Sequence, residues 1–409
     1  MKPKFSLKKN HQLPLALCVA ALVLAVVAAV LFWPREGSTG TDTAAGTPAP
    51  LPTATPAPTE PPVALARIRA AGDIIIDTPM LTAAQTSGTS YKFDKYFNRI
   101  GNVLEDADWT IINIEGALAG MGEYGYTGYP SFNTPPVILD TLKKRGVDML
   151  TLANNHSLDR YFDGLMNTLR NVDKAGLART GAYRSQKDYD KPLVVDINGI
   201  QIGFTNYTTG LNNVEKRSDK RATQYGLRTT AKADYAKDIA ALRDAGAQAV
   251  VVMMHWDREY KRQPGAATKQ MAQQIADAGA DVIIGGHPHM VQPLEWLSAA
   301  DGRKVLCLYS MGNFLSNHKG PYLDNGIVFE VSFALDKHGA VRVVNPCYIP
   351  VWVWVQKSDD ALNYQVMPAA AAIRNRPETM TDEQYERVTA AWRESLEILG
   401  TEIAAPIMN

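Results

Sequence analysis

Apolar positions fall along the chain in three regimes, and each predicts a different kind of structure. Residues 13–33 run apolar without a charge; at about 1.5 Å per residue, roughly 21 residues reach about 30 Å, the hydrocarbon thickness of a bilayer. Residues 34–62 are Pro, Thr and Ala with almost no large apolar side chain. Such a tract cannot bury enough surface to fold, and its prolines favour an extended, semi-rigid linker. From residue 63 onward short apolar runs alternate with helical periodicity, as expected of a globular domain over 63–357.

Within that domain the pattern predicts strands at 65–71, 110–114 and 149–152, interleaved with helices at 93–105, 137–145 and 163–175. A hairpin over 194–204 is closed by Asn198-Gly199, the pair a type I′ turn requires. Helices at 231–245 and 267–278 then flank strands at 249–254 and 281–284, after which strands alone follow at 304–309, 326–335 and 340–344. The segment 358–409 is expected to be a helical extension; Thr381 and Gln384 form a capping box and Gly400 a stop. Helices both outside and between these strand groups predict an α/β fold of two packed β-sheets flanked by helices.

Charge and cysteine change this picture at the ends. Lys2, Lys4, Lys8 and Lys9 precede the long apolar run, so residues 1–12 are expected in the cytoplasm, 13–33 as a single membrane anchor, and the rest outside the cell. A cleaved signal peptide is the alternative, but the run is long and ends in Leu-Phe-Trp-Pro rather than at a small-residue cleavage site. Four of the 42 Lys and Arg lie before the run, leaving 38 against 42 acidic residues outside, with no basic patch to recommend nucleic acid. Cys18, Cys307 and Cys347 are too few for a disulfide scaffold, and pairing of the last two stays open.

Polar clusters stand just past the ends of the apolar runs, where open α/β sheets carry their sites. They are Gly72-Asp73, Asn113-Ile-Glu115, Asn154-Asn155-His156, His255-Trp256-Asp-Arg-Glu259 and Gly286-His287-Pro-His289. Mixed carboxylate, amide and imidazole donors without thiolate suit divalent Mn, Fe, Zn or Mg. Taken singly, each has an ordinary structural reading. Asn154 and Asn155 fit a left-handed turn, Glu115 a helix cap, His255 a satisfied core histidine and Asn313 a turn after a strand.

Taken in order, and with Leu-Ala-Asn154-Asn155-His156-Ser-Leu-Asp159, Glu259-Tyr260 and Tyr309-Ser-Met-Gly312-Asn313-Phe314, the blocks over 66–352 resemble the CapA/PgsA proteins of poly-γ-glutamate capsule synthesis. Through them the chain is similar to the calcineurin-like metallophosphoesterases. That resemblance implies a four-layer α/β/β/α sandwich and one or two divalent metal ions. It implies that Asp73 and His289 hold one metal, that Asn155, His255 and His287 hold the other, and that Glu115 bridges. It makes His156 an acid near the leaving oxygen and puts Trp256, Glu259 and Tyr260 beside the site. Glu259 then binds substrate or serves as acid or base, unless it pairs with Arg258 or Arg262; Asn154, Trp256 and Asn313 are expected to bind substrate.

There are two departures from the phosphoesterase pattern. Ile75 stands where a His normally follows the first Asp, and the bridging acid is the longer Glu115. Asp77 either compensates or caps a helix. His11, His318 and His338 have no comparable company in the sequence, and His338 reads as turn.

The leading expectation is a membrane-anchored, extracellular protein of poly-γ-glutamate or related anionic-polymer synthesis or export. Its expected partners are the membrane, other membrane subunits of a synthesis complex, and an anionic polymer or phosphorylated substrate. The alternatives are a cell-surface phosphomonoesterase or phosphodiesterase, and a non-catalytic assembly or polymer-binding subunit.

Overall fold

The computed structural model describes residues 61–401 apart from 124, 359 and 360. The expected cytoplasmic segment 1–12, the membrane run 13–33 and nearly all of the linker 34–62 lie outside the described residues. No described helix is long and apolar enough to cross a membrane.

The chain forms strands β1 (Ala64–Ile74), β2 (Trp109–Ile114), β3 (Met149–Thr151) and β4 (Ala178–Thr180), then β5 (Leu193–Ile197), β6 (Ile200–Thr208) and β7 (Ala249–His255). There follow β8 (Val282–Gly286), β9 (Leu294–Ser298), β10 (Lys304–Leu308), β11 (Asn313–Leu315), β12 (Asn325–Leu335), β13 (Val341–Ser358) and β14 (Ala361–Pro368). Besides a small two-stranded hairpin over 85–91, one large sheet has the order β14-β13-β12-β1-β2-β3-β4, with β11 beside the end of β1, and the other large sheet has the order β9-β10-β8-β7-β6-β5. The centres of both are parallel, β1 to β4 in the first and β6, β7, β8 and β10 in the second, so several strand carboxyl ends point one way.

Alternation along the strands sets the layers. Val251 and Met253 of β7 pack with Ile68 and Ala70 of β1 and Phe329 and Val331 of β12 between the sheets. Their neighbours Val250, Val252 and Met254 face the other way, onto Ile239 and Leu242 and onto Ala272 and Ile275 of the outer helices. Helices over 138–144 and 161–175 cover the opposite face of the first sheet through Leu142, Leu165 and Leu169. Burying each Val, Ile or Leu contributes about 1.5–3 kcal/mol, and slipping one strand by a residue would turn its whole set to the wrong side. Register is therefore fixed, and with it the position of each strand end.

The hairpin turn has φ +53 at Asn198 and +83 at Gly199, as the Asn-Gly pair demands, and Thr381 and Gln384 close the expected capping box. Three expectations are corrected. The helix at 93–105 is two pieces, a 3₁₀ turn over Asp94–Phe97 and a short helix over Gly101–Glu105. Phe93, Tyr96, Phe97, Ile100 and Leu104 are all buried, so the periodicity was right, but Asn98 and Gly101 are weak helix formers that let it break. The helix at 231–245 starts at Tyr235, because the Asp234 side chain accepts the Lys237 N–H and caps it there. The segment 358–409 is not wholly helical: β14 pairs along β13, and Trp352, Trp354 and Met367 make a satellite core with Val388 and Ala391 of the last helix. Cys307 and Cys347 are both free thiols.

Candidate metal centre

Asp73 reaches its position through a β-bulge. β1 shifts register against β2 between Ala71 and Asp73, leaving Gly72 as the extra residue and re-aiming the carboxylate. A Cβ on Gly72 would lie 2.0 Å from the Gly312 carbonyl oxygen, so only glycine lets the strand leading to Asn313 pass this close. Asn113 donates to Asp73 Oδ1 at 2.7 Å, and the His287 N–H donates to Oδ2 at 3.1 Å.

Around it the other strand ends converge. One oxygen each of Asp73 and Glu115 and a ring nitrogen of His255 lie within 4.8 Å of one another, as do Glu115, His287 and His289. Glu115 belongs to both groups. His255 Nε2 is 2.8 Å from Asn155 Oδ1 and 3.8 Å from Glu115 Oε1. His289 Nδ1 donates to Asn313 Oδ1 at 3.1 Å, and Asn313 is itself locked by donating to the Leu323 carbonyl. This sets the tautomer and leaves Nε2 as the lone-pair nitrogen, the usual task of a residue behind a ligating imidazole. His287 and His289 hold φ +93 and +58, a strained backbone concentrated at the site.

The electrostatics call for a cation. Burial pushes the Asp73 carboxyl up to about 6 against the two hydrogen bonds that pull it down. Burial, and then the carboxylates of Asp73, Glu259 and Asp159, push Glu115 well above the usual range. Burial also drives His255 and His289 well below 6.5 and lowers His287. Glu115 Oε2 and His287 Nδ1 are buried with no hydrogen-bond partner among the described residues. Each such orphan costs about 1–3 kcal/mol, and a divalent ion accepted by carboxylates and neutral imidazoles would remove that cost. Donor set and orphaned atoms thus fit one or two divalent cations. Protons compete with metal for a carboxylate until it ionises. The affinity for metal is therefore expected to weaken as pH falls below about 6, where protons begin to compete for Asp73; an affinity that does not change across that range would contradict this.

A cavity of about 520 Å³ opens beside the cluster, lined by Glu115, His156, Glu259, His289 and Ile75 among others. His156 donates from Nδ1 to Asp159 Oδ2 at 2.8 Å, and Asp159 is held by the Phe132 N–H at 2.6 Å. That leaves Nε2 facing the cavity, 3.3 Å from Asn212 Nδ2 and 4.0 Å from Glu115 Oε1. Glu259 also lines the cavity and forms no ion pair among the described residues, since Arg262 pairs with Glu397.

Three residues expected to touch substrate are placed elsewhere. Asn154 spends its side chain donating to the Ile114 carbonyl at 2.8 Å and accepting the His156 N–H, so it builds the loop. Trp256 is fully buried in the outer core, its indole N–H donating to the Tyr309 carbonyl at 2.9 Å. Asn313 supports His289. Asp77 caps the following helix through the Thr78 N–H and also accepts the Tyr129 N–H, so it does not compensate for Ile75.

Sequence reasoning missed His318, which stacks on His289 at 4.9 Å, and also Asn212 and Tyr129. The strand-end rule applied after β6 would have raised Asn212.

The family model described as "Bacterial capsule synthesis protein PGA_cap" matches residues 67–318. The "PGA biosynthesis protein CapA" of Bacillus subtilis is 27% identical over 248 residues, covering 60% of this chain and 61% of that protein. The "Capsule biosynthesis protein CapA" of Bacillus anthracis is 24% identical over 250 residues, covering 60% and 58%. The chain thus spans about three fifths of the length of these relatives. Among solved structures, the calcineurin-like phosphoesterase YfkN from Bacillus subtilis aligns with a TM-score of 0.41 and 14% identity, over 82% of this chain and 98% of that one.

Proposed function

Because the chain belongs to the bacterial capsule synthesis protein family PGA_cap, we propose that it acts in the synthesis or export of poly-γ-glutamate or a related anionic polymer. In this reading it is anchored by residues 13–33 and carries, outside the cell, a phosphoesterase-type centre for divalent metal. The observation that carries the reading is the convergence of Asp73, Glu115, Asn155, His255, His287 and His289 from separate strand ends onto one buried cluster beside an open cavity.

Bound divalent ions would supply Lewis-acid polarisation of a phosphoryl group and of the attacking water. The chain's own residues do the rest. Asp159 orients His156, whose Nε2 holds or delivers a proton on the cavity side, toward a leaving oxygen. Glu259 offers a carboxylate on the same cavity and Asn313 keeps His289 in its ligating tautomer. The His156–Asp159 pair also favours a second reading, a cell-surface phosphomonoesterase or phosphodiesterase. Ile75 in the cavity wall, where an imidazole is usual, favours a non-catalytic assembly subunit.

Deleting the protein from a host that makes poly-γ-glutamate is expected to abolish surface polymer. Unchanged polymer would overturn the capsule role and leave the phosphoesterase reading. Protease added to intact cells is expected to remove the domain over 63–401, because the lysines precede the apolar run. Protection of that domain beside an intact cytoplasmic control would reverse the orientation.

A further inference from the structure

The mouth of the cavity is walled by tyrosines that the metal-centre chemistry does not use. Tyr129, Tyr161 and Tyr260 all line it, and they are 75%, 42% and 47% exposed. Large apolar side chains left open to water and gathered at one place mark a surface that meets a partner or ligand. Tyr161 and Tyr260 hold φ +52 and +62, a conformation that side-chain-bearing residues adopt only where the surroundings enforce it.

The Tyr161 N–H donates to the Leu158 carbonyl at 2.7 Å. The Tyr260 N–H donates to the Pro288 carbonyl at 2.9 Å, fixing that residue's backbone beside the His287-Pro-His289 turn. Arg160, next to Tyr161, donates to the Ser131 carbonyl at 3.1 Å and so staples the loop that carries Tyr129. The backbone that carries the rings is tied down before any ligand arrives, which lowers the ordering cost of binding. Charge points the same way: among the described residues lining this cavity, Arg217 is the only Lys or Arg. A row of carboxylates, as on a polyglutamate chain, would need several cations here. A body with a flat or ring-shaped face needs aromatic walls.

We infer that the cavity takes a phosphate ester of a ring-bearing alcohol, a nucleoside or a sugar, with Tyr129, Tyr161 and Tyr260 holding the ring while the phosphoryl group faces the Glu115 and His289 side. This rests on the phosphoesterase-type reading above and names the class of substrate for it. Stacking of a ring on an aromatic side chain typically changes affinity about tenfold.

The test uses the full chain in detergent, loaded with Mn²⁺ and carrying His156→Ala so that no ligand is consumed. Calorimetry measures inorganic phosphate, uridine monophosphate, glucose 1-phosphate and tri-γ-glutamate. At least one ring-bearing ester is expected to bind about tenfold or more tighter than phosphate; the tighter of the two identifies the ring. The ratio of ester to phosphate affinity should fall toward one in the Tyr129→Ala, Tyr260→Ala double variant and persist in the matching Phe variant, which keeps the rings and guards against misfolding. Equal affinity for esters and phosphate, or tri-γ-glutamate binding tighter than either ester, would overturn the assignment. Failure of inorganic phosphate itself to bind would contradict the metal-site reading, and the assignment would fall with it.

Discussion

Replacing His156 with Ala is expected to leave bound metal in place and to cut hydrolysis of a phosphate ester by about 10²- to 10⁴-fold, the usual contribution of a positioned general acid. The reason is geometric. His156 gives Nδ1 to Asp159 at 2.8 Å and turns Nε2 into the cavity, 4.0 Å from Glu115, so it stands over the cluster without belonging to either group of potential ligands. Asp159→Asn should reproduce part of the loss, because a neutral amide in place of the carboxylate no longer stabilises the positive charge of the protonated imidazole. Metal content and hydrolysis measured on one sample decide the matter. Loss of metal in step with activity would make His156 a ligand instead.

Glu115→Gln is expected to act in opposite directions on the metal-free and the metal-loaded protein. Without metal, Glu115 is a fully buried carboxylate with one oxygen unpartnered and other carboxylates nearby, a strained arrangement that the neutral amide relieves. The melting temperature of the metal-free protein should therefore rise. With metal, stabilisation follows ligand binding and reaches about 2.7 kcal/mol at a hundredfold excess over Kd. Glu115 lies in both groups of potential ligands, so its replacement should erase most of that gain. Thermal melts with and without Mn²⁺ check both signs. A variant that still gains the full stabilisation would remove Glu115 from the centre.

How much of this was readable in the sequence depends on what kind of signal each residue leaves. Asp73, Glu115, Asn155, His255, His287 and His289 each follow an apolar run, and a parallel sheet turns that one-dimensional rule into convergence, because the carboxyl ends of its strands share an edge. The layers followed from alternation in strands such as β7. What stayed hidden was set by contacts between distant segments. Trp256 lies next to His255, but Gly285 leaves room for its indole, since a Cβ there would come within 2.5 Å of Nε1, and the ring turns into the core. Asn154 is bound by a carbonyl from β2, which no local pattern announces. His318 follows a strand of only three residues, too short for its periodicity to stand out, and gains its place by stacking on His289. β14 departs from the expected helical extension because β13 runs on past residue 344 to Ser358 and offers an edge along which β14 pairs.

The measurement closest to the central claim is metal content of the purified full chain beside its His287→Ala and His338→Ala variants. His287 offers a nitrogen to the cluster, whereas His338 sits on the exposed turn between β12 and β13 with its backbone N–H on Asp336. One or two equivalents of divalent metal in the parent and in His338→Ala, with a clear loss in His287→Ala, is the predicted result. Equal metal in all three, or none in the parent after loading above pH 7, would contradict it.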